Sequence, residues 1–310
     1  MDAAPLIGTE AAPVPDGGQG FWFEGAGGAR LRAALFPAKA ATRGSVILSA
    51  GRTEPIEKYF EVIGELQGRG FAVLAHDWRG QGLSHRMLTD RHRGHAEGHA
   101  DYLEDLRMLL ALTGDRLPRP WIGFGHSMGG CLTALAAVKG VVRFDVLFLS
   151  APMLGLVATR KLGGMAGLIA GTMIGLGRSG EYILKEAFEP FLGSFEANVL
   201  THDAGRYERY RDQLRACPDL ALGGVTWGWM GFALEAGAIL GRRTVNVPVS
   251  IVGAGDDHLV LTGPSRAFAG RAPKGRYAEI AGAFHEVLME TDARRALVWA
   301  EFDALTGRMG

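Results

Sequence analysis

From residue 121 the chain runs through an apolar stretch, Trp121-Ile122-Gly123-Phe124, into Gly125-His126-Ser127-Met128-Gly129 and on through Gly130-Cys131-Leu132-Thr133-Ala134-Leu135. That order reads as a strand, a tight turn, and a helix opened by small residues. A G-x-S-x-G sequence in this setting holds its serine on a strained turn, with the hydroxyl projecting above a sheet. The glycines are a steric requirement. A side chain at Gly125 or Gly129 would crowd the turn that keeps Ser127 in an unfavourable backbone conformation.

The rest of the chain supplies a sheet for that turn. Apolar and β-branched runs at 32–36, 45–49, 72–75, 121–124, 146–149, 249–253 and 277–280 read as strands. Helical patterns fall at 56–67, 100–112, 129–138, 264–269 and 293–305. Their alternation predicts an α/β chain with a mostly parallel, doubly wound sheet and helices on both faces. The alternation stops between about Pro152 and Arg242, where 162–176, 181–192, 205–214 and 226–239 are helical or irregular in pattern. Val247-Pro248-Val249-Ser250-Ile251-Val252 then restores a strand. The expected organisation is a core of residues 21–151 and 242–310, a helical cap (lid) of 152–241 inserted in it, and a loosely ordered N-terminal arm of 1–20.

Totals narrow the class. A length of 310 residues suits one domain carrying a large insertion. Thirty-three basic residues against thirty-three acidic ones leave no net charge, so no strong field favours nucleic acid or an anionic membrane. Glycine, at 46 residues, is about twice its usual share and points to many tight turns. The two cysteines, Cys131 and Cys217, fall in separate segments; a disulfide framework is not expected and a reducing compartment fits. The start of the chain has Asp2 and no basic cluster ahead of an apolar core, and is not read as a signal peptide. The most apolar segment, 162–176, is too short and glycine-rich for a bilayer span, so a cytoplasmic protein is expected.

A serine hydroxyl is a poor nucleophile near neutral pH unless a base removes its proton. Partners follow Ser127 in the order acid, then histidine. Asp256-Asp257-His258-Leu259-Val260 comes after the strand ending near Gly253, and Gly282-Ala283-Phe284-His285-Glu286 after the strand ending near Ile280. Both belong at the carboxyl edge of the sheet, the edge that carries Ser127. His285 would take the Ser127 proton and pass it to a leaving alcohol, while an aspartate fixes the imidazole tautomer. Asp256 and Asp257 are both candidates for that acid. Asp257 is preferred because His258-Leu259-Val260 after it suits a D-x-φ-V context.

A developing oxyanion needs two backbone donors. One is expected from Met128, directly after the serine, and one from the loop Ala50-Gly51-Arg52-Thr53-Glu54. Gly51 allows close backbone approach, and the Arg52 N–H is the second candidate. The first position of this loop is Ala50.

Other motifs read as structure. In His76-Asp77-Trp78-Arg79-Gly80-Gln81-Gly82-Leu83-Ser84, Asp77 and Arg79 are expected to brace neighbouring loops. A dinucleotide fingerprint over the same elbow would need glycine at 128, where Met128 stands. His85, His92, His95 and His99 lie among Arg86, Arg91 and Arg93, which would repel a cation, so a loop-bracing role is expected rather than a metal. Of Met165, Met173, Trp227, Trp229, Met230 and Phe232 in the insertion, some should line an apolar cavity.

Taken together, Gly51-Arg52-Thr53-Glu54 with Lys58-Tyr59, Asp77-Trp78-Arg79-Gly80-Gln81-Gly82, the Ser127 elbow and Gly282-Ala283-Phe284-His285-Glu286 resemble the α/β-hydrolase superfamily over about residues 15–306. Within it the chain resembles the lysophospholipase L2 and monoacylglycerol lipase-like branch, and the G-R-x-E form of the loop looks like the lysophospholipases. The resemblance implies a serine hydrolase with a lid, needing no metal or cofactor, that cleaves a carboxylic ester with one acyl chain. Lysophospholipid or monoacylglycerol would pass through an acyl-enzyme on Ser127, with at most transient membrane-surface contact through the cap. A carboxylesterase for short soluble esters and a non-catalytic hydrolase-fold binding protein are the other readings.

Overall fold

Apolar runs that alternate with helices become the strands of one sheet in the computed structural model, which describes residues 1–40, 42–184 and 193–309. The strands are β1 (Gln19–Glu24), β2 (Arg30–Phe36), β3 (Ser45–Ser49), β4 (Ala72–His76), β5 (Trp121–His126), β6 (Val146–Ser150), β7 (Val249–Ala254) and β8 (Gly275–Ile280). They lie in the order β1-β2-β4-β3-β5-β6-β7-β8. β2 is antiparallel to both its neighbours, and the strands from β4 to β8 run parallel. Their carboxyl ends therefore share one edge.

The helices are α1 (Phe60–Gly68), α2 (Ala100–Thr113), α3 (Ser127–Val138), α4 (Met165–Gly175), α5 (Ala204–Ala216), α6 (Trp227–Arg242), α7 (Thr262–Arg271) and α8 (Asp292–Thr306). Successive strand residues point to opposite faces, so each central strand feeds two apolar layers. Val46, Leu48, Phe124 and Phe148 meet Ile63 of α1 and Phe302 of α8 on one face. Ile47, Leu147 and Ile251 meet Leu106 of α2, Leu132 of α3, Phe232 of α6 and Phe268 of α7 on the other. The doubly wound sheet is as the sequence pattern predicts.

Between β6 and β7 the segment carries α4, α5 and α6. Phe232, Ala236 and Leu240 of α6 join the core layer, α4 lies against α6, and α5 packs Leu214 on Leu220 and Ala221. The helical pattern at 181–192 falls, from residue 185 onward, outside the described residues. Residues 181–184 are extended or turned, with Tyr182 bridged to Thr226.

Two elements differ from expectation. β1 was absent from the strand pattern, although Phe21 and Phe23 alternate with more exposed neighbours. The first residues are also tied down rather than loose: Ala4 N–H donates to the Gly20 carbonyl (2.9 Å) and Trp22 N–H to that of Asp2 (2.8 Å). An edge strand leaves main-chain groups open, and the N-terminal segment covers those of β1.

A buried ion cluster joins this edge to the parallel strands. Arg32 of β2, fully buried, donates through NH1 and NH2 to both oxygens of Glu57 (2.7 and 2.6 Å) and through Nε to Asp77 (2.7 Å). Asp77 also accepts the N–H groups of Ile56 (2.9 Å) and Leu83 (2.8 Å), which fixes the turn after β4. Arg79 binds Asp105 through Nε (2.6 Å) and NH2 (2.7 Å), and Asp101 through NH1 (2.7 Å). Asp77 and Arg79 thus brace neighbouring loops. Replacing one partner of a buried pair strands the others without compensation. Arg32→Met should lower stability by about 3–5 kcal/mol, measured as a lower urea midpoint with an unchanged slope.

Candidate active site

Non-glycine residues with left-handed φ among the described residues are Thr53 (67°), Ser127 (50°) and Ala151 (40°). Each lies just beyond the carboxyl end of a parallel strand: β3, β5 and β6 respectively. Such conformations persist only where surrounding packing enforces them, and they cluster at functional sites. The packing here is explicit. A Cβ at Gly129 would overlap the carbonyl oxygens of Ser49 and Ala50, and one at Gly125 would come within 2.6 Å of Gly130 Cα. Without those side chains, the start of α3 presses directly on the loop after β3.

At this edge Ser127 Oγ lies 2.9 Å from His285 Nε2, and His285 Nδ1 lies 2.8 Å from Asp257 Oδ2. The other Asp257 oxygen accepts the N–H groups of Leu259 (2.8 Å) and Val260 (2.9 Å). Burial works against ionisation of Asp257. The His285 contact and the two N–H groups outweigh it, and the carboxyl is held below its ordinary value. Asp256 turns outward and sits 3.5 Å from His258. The geometry thus brings Ser127, His285 and Asp257 together and leaves Asp256 apart. A serine in this series can lose its proton to the imidazole as it attacks a carbonyl carbon.

Met128 lies in the first turn of α3, where helix N–H groups have no carbonyl four residues back within the helix. The loop Ala50-Gly51-Arg52 faces it and is clamped on several sides. Trp78 Nε1 donates to the Ala50 carbonyl (3.0 Å), Gln81 Nε2 to that of Gly51 (2.7 Å), and Tyr210 OH to that of Thr53. The buried carboxylate of Glu54 accepts Gly51 N–H (2.6 Å), Tyr59 OH (2.6 Å) and Lys58 Nζ (2.9 Å). Lys58 in turn reaches Glu286 (2.5 Å), the residue after His285. Burial would raise the Glu54 carboxyl, but the charges of Lys58 and His126 and the bonds from Lys58 and Tyr59 hold it at about 2. Burial pushes the Glu286 carboxyl up, and the nearby Glu54 charge adds to that shift against the pull of Lys58.

His126, between Gly125 and Ser127, has its ring centroid 5.0 Å from that of His285, with the two planes tilted by 49°. Its Nδ1 is 3.1 Å from both the carbonyl and the hydroxyl oxygen of Ser150. Burial lowers its pKa to about 4, so it stays neutral near pH 7 and sets no full positive charge against an imidazolium at His285. The roles of Glu54, Lys58, Glu286 and His126 were not visible in the sequence. Lys58 and Glu286 are 228 positions apart, so no local pattern in the sequence joins them.

Other residues singled out in the sequence separate. His95 Nδ1 bonds Thr226 Oγ1 (2.9 Å) and His99 Nδ1 pairs with Glu235 (3.1 Å), each bracing a different contact. Trp229 is buried, with Nε1 donating to Met128 Sδ (3.4 Å), whereas Met165 is exposed. A cavity of about 710 Å³ opens between α4 and α6 and is lined by Ala170, Ile174 and Phe232. None of Ser127, His285 and Asp257 lines it.

Comparison with known proteins follows this geometry. The family described as "Serine aminopeptidase, S33" matches residues 40–292. Lysophospholipase L2 of Escherichia coli is 32% identical over 275 residues, covering 81% of this chain and 77% of that protein. A soluble variant of monoglyceride lipase from Saccharomyces cerevisiae, solved with a substrate analog, superposes with a TM-score of 0.73 at 20% identity, covering 94% of this chain and 96% of that one. Monoacylglycerol lipase of Paleococcus ferrophilus gives a TM-score of 0.69 at 20% identity, covering 89% and 98%. The chain belongs to this family, and within the α/β-hydrolases it is a lysophospholipase L2 and monoacylglycerol lipase-like protein.

The Glu54 cluster sets a pH test. A carboxylate depressed in the folded state adds stability above its unfolded pKa, and that stability is lost as pH falls through the folded value. Glu54→Gln should therefore be less stable than the wild type at pH 7, with the gap closing as pH falls from the ordinary 4.5 toward about 2. Urea melts across that range check it; a gap that stays constant down to the lowest pH would contradict the ionised assignment.

Proposed function

We propose that this protein is a serine hydrolase that cleaves carboxylic esters of single-chain lipids, lysophospholipid or monoacylglycerol, through an acyl-enzyme on Ser127. The observation that carries the reading is the unbroken Ser127–His285–Asp257 series in a chain 32% identical to lysophospholipase L2. Ser127 Oγ attacks the ester carbonyl while its proton passes to His285 Nε2. Asp257 keeps the proton of Nδ1 and stabilises the imidazolium. The N–H groups of Met128 and Arg52 receive the oxyanion. Collapse breaks the ester C–O bond, and the alcohol leaves with the His285 proton. Water then attacks the acyl-enzyme, giving its proton to His285, and the fatty acid departs as Ser127 is restored.

Peptide and ester cleavage can share such a triad, so the family's peptidase description does not select the substrate. The named lipases and lysophospholipase favour the ester. Purified protein should release fatty acid from lysophosphatidylcholine or monoacylglycerol, and Ser127→Ala should lower turnover by on the order of a millionfold. Near-normal activity of that variant would refute the assignment. A p-nitrophenyl ester series peaking at acetyl or butyryl, with no lipid cleavage, would favour a short-chain carboxylesterase instead.

The residues between β6 and β7 act in this reading as a lid that touches lipid surfaces transiently. The exposed side of α4 supports it: Leu168 is 71% exposed, Met165 62%, and Leu176, just beyond the helix, 67%. Arg160 and Lys161, both exposed, precede the helix. Among the described residues no helix is long and apolar enough to cross a membrane. Cys131 and Cys217 are free thiols, which suits a cytoplasmic setting. Leu168→Asp should reduce co-sedimentation with vesicles of mixed neutral and anionic phospholipid several-fold while leaving cleavage of a soluble p-nitrophenyl ester intact.

A further inference from the structure

Buried arginines of this protein are, with few exceptions, neutralised by carboxylates. Arg32 meets Glu57 and Asp77, Arg79 meets Asp101 and Asp105, and Arg295 meets Glu61 and Glu65. Arg86 has no carboxylate among the described residues but donates to the main-chain carbonyls of Gly80, Gly82, Asp219 and Ala221. Arg52 has neither arrangement. Among the described residues its guanidinium has one acceptor, the Gly223 carbonyl, 2.7 Å from NH1. Its nearest acidic residue in sequence, Glu54, is occupied by Gly51, Lys58 and Tyr59.

The site around Arg52 is shaped rather than accidental. The guanidinium lies 5.7 Å from the Trp229 ring, and a Cβ at Gly94 would stand 2.8 Å from NH1. Protein surrounds the group closely enough to lower its pKa to about 10, yet the residue keeps accessible surface. That combination leaves a cation that remains charged at neutral pH and is in part reachable from solvent. With NH1 engaged by Gly223, the Nε–NH2 edge has no acceptor among the described residues, and such an edge is the fork that binds two oxygens of a phosphate or carboxylate. Trp229 also ties this group to the reaction centre, since its Nε1 bonds Met128 Sδ.

We propose that the Arg52 side chain is the anion subsite of the ester-cleaving site and receives the phosphodiester of a lysophospholipid headgroup while the ester carbonyl lies at Ser127. This rests on the lipid-ester reading above and narrows it, because a monoacylglycerol has no anion to offer. The main-chain N–H of Arg52 and its guanidinium then serve one substrate at two points, oxyanion and headgroup.

The test compares lysophosphatidylcholine with the monoacylglycerol of the same acyl chain. Arg52→Gln keeps the main-chain N–H, so the informative quantity is the ratio of kcat/KM between the two lipids. That ratio should fall by about 10–100-fold, chiefly through KM, and Arg52→Lys should recover part of it. With wild-type protein, glycerophosphocholine should inhibit competitively, and inorganic phosphate at matched ionic strength should inhibit much less. Equal losses on both lipids would overturn the subsite while leaving the ester reading intact. Inhibition by inorganic phosphate as strong as by glycerophosphocholine would overturn the headgroup assignment, and this arm stands even if Arg52→Gln fails to fold. A wild type that cleaves neither lipid would remove both readings.

Discussion

The carboxylate of Glu54 is the point on which the site's geometry turns. It takes the Gly51 N–H, the Tyr59 hydroxyl and the Lys58 ammonium, and Lys58 carries the connection to Glu286 beside His285. A main-chain donor after β3 and the histidine loop after β8 are thereby anchored to one buried cluster. Desolvating these charges is costly, and the cost is offset only because nearly every lone pair and proton has a partner at short range. Loosening any member would release the loop that carries the Arg52 N–H and shift the ground under His285 together.

Steric contact complements that electrostatic clamp. The start of α3 can press on the Ser49–Ala50 carbonyls only because Gly129 has no side chain, and this contact holds Ser127 in its left-handed conformation. Strain at Thr53, Ser127 and Ala151 is thus distributed over three adjacent strand ends instead of one. The parallel sheet makes that possible, since β3, β5 and β6 are neighbours pointing the same way. His126 fits the same design: burial keeps it neutral beside His285, so it fills space without opposing the charge that proton transfer creates.

Two classes of buried charge emerge. The Arg32–Glu57–Asp77 cluster is closed, with complementary partners in bonding range, and it joins the antiparallel edge to the parallel core. Arg52 is open, a cation at the active edge with one carbonyl acceptor among the described residues. The contrast between closed and open sites distinguishes architecture from recognition within one molecule. α4 shows a similar contrast in apolar surface, since only Ala166 and Ala170 of that helix are buried.

Much of this was legible in residue order. The strand–turn–helix signal around Ser127 and the continuous apolar runs of the central strands are local patterns, set by backbone geometry that acts over a few residues, and the succession of serine, aspartate and histidine is read from chain order. β1 escaped because only Phe21-Trp22-Phe23 of its six residues are apolar, flanked by Gly20 and Glu24, and its pairing with β2 and the N-terminal segment is a tertiary matter. Between the adjacent Asp256 and Asp257, sequence favoured Asp257 only through the His258-Leu259-Val260 that follows it. The fold separated them by turning one toward His285 and the other toward His258. The Lys58–Glu286 bond, the neutral state of His126 and the lack of a carboxylate at Arg52 among the described residues likewise depend on distance and burial across the chain, which set electrostatic energies. The sequence by itself determined the kind of chemistry and the edge on which it sits; the tertiary structure decided which charges are spent on holding that edge together and which one is left for a ligand.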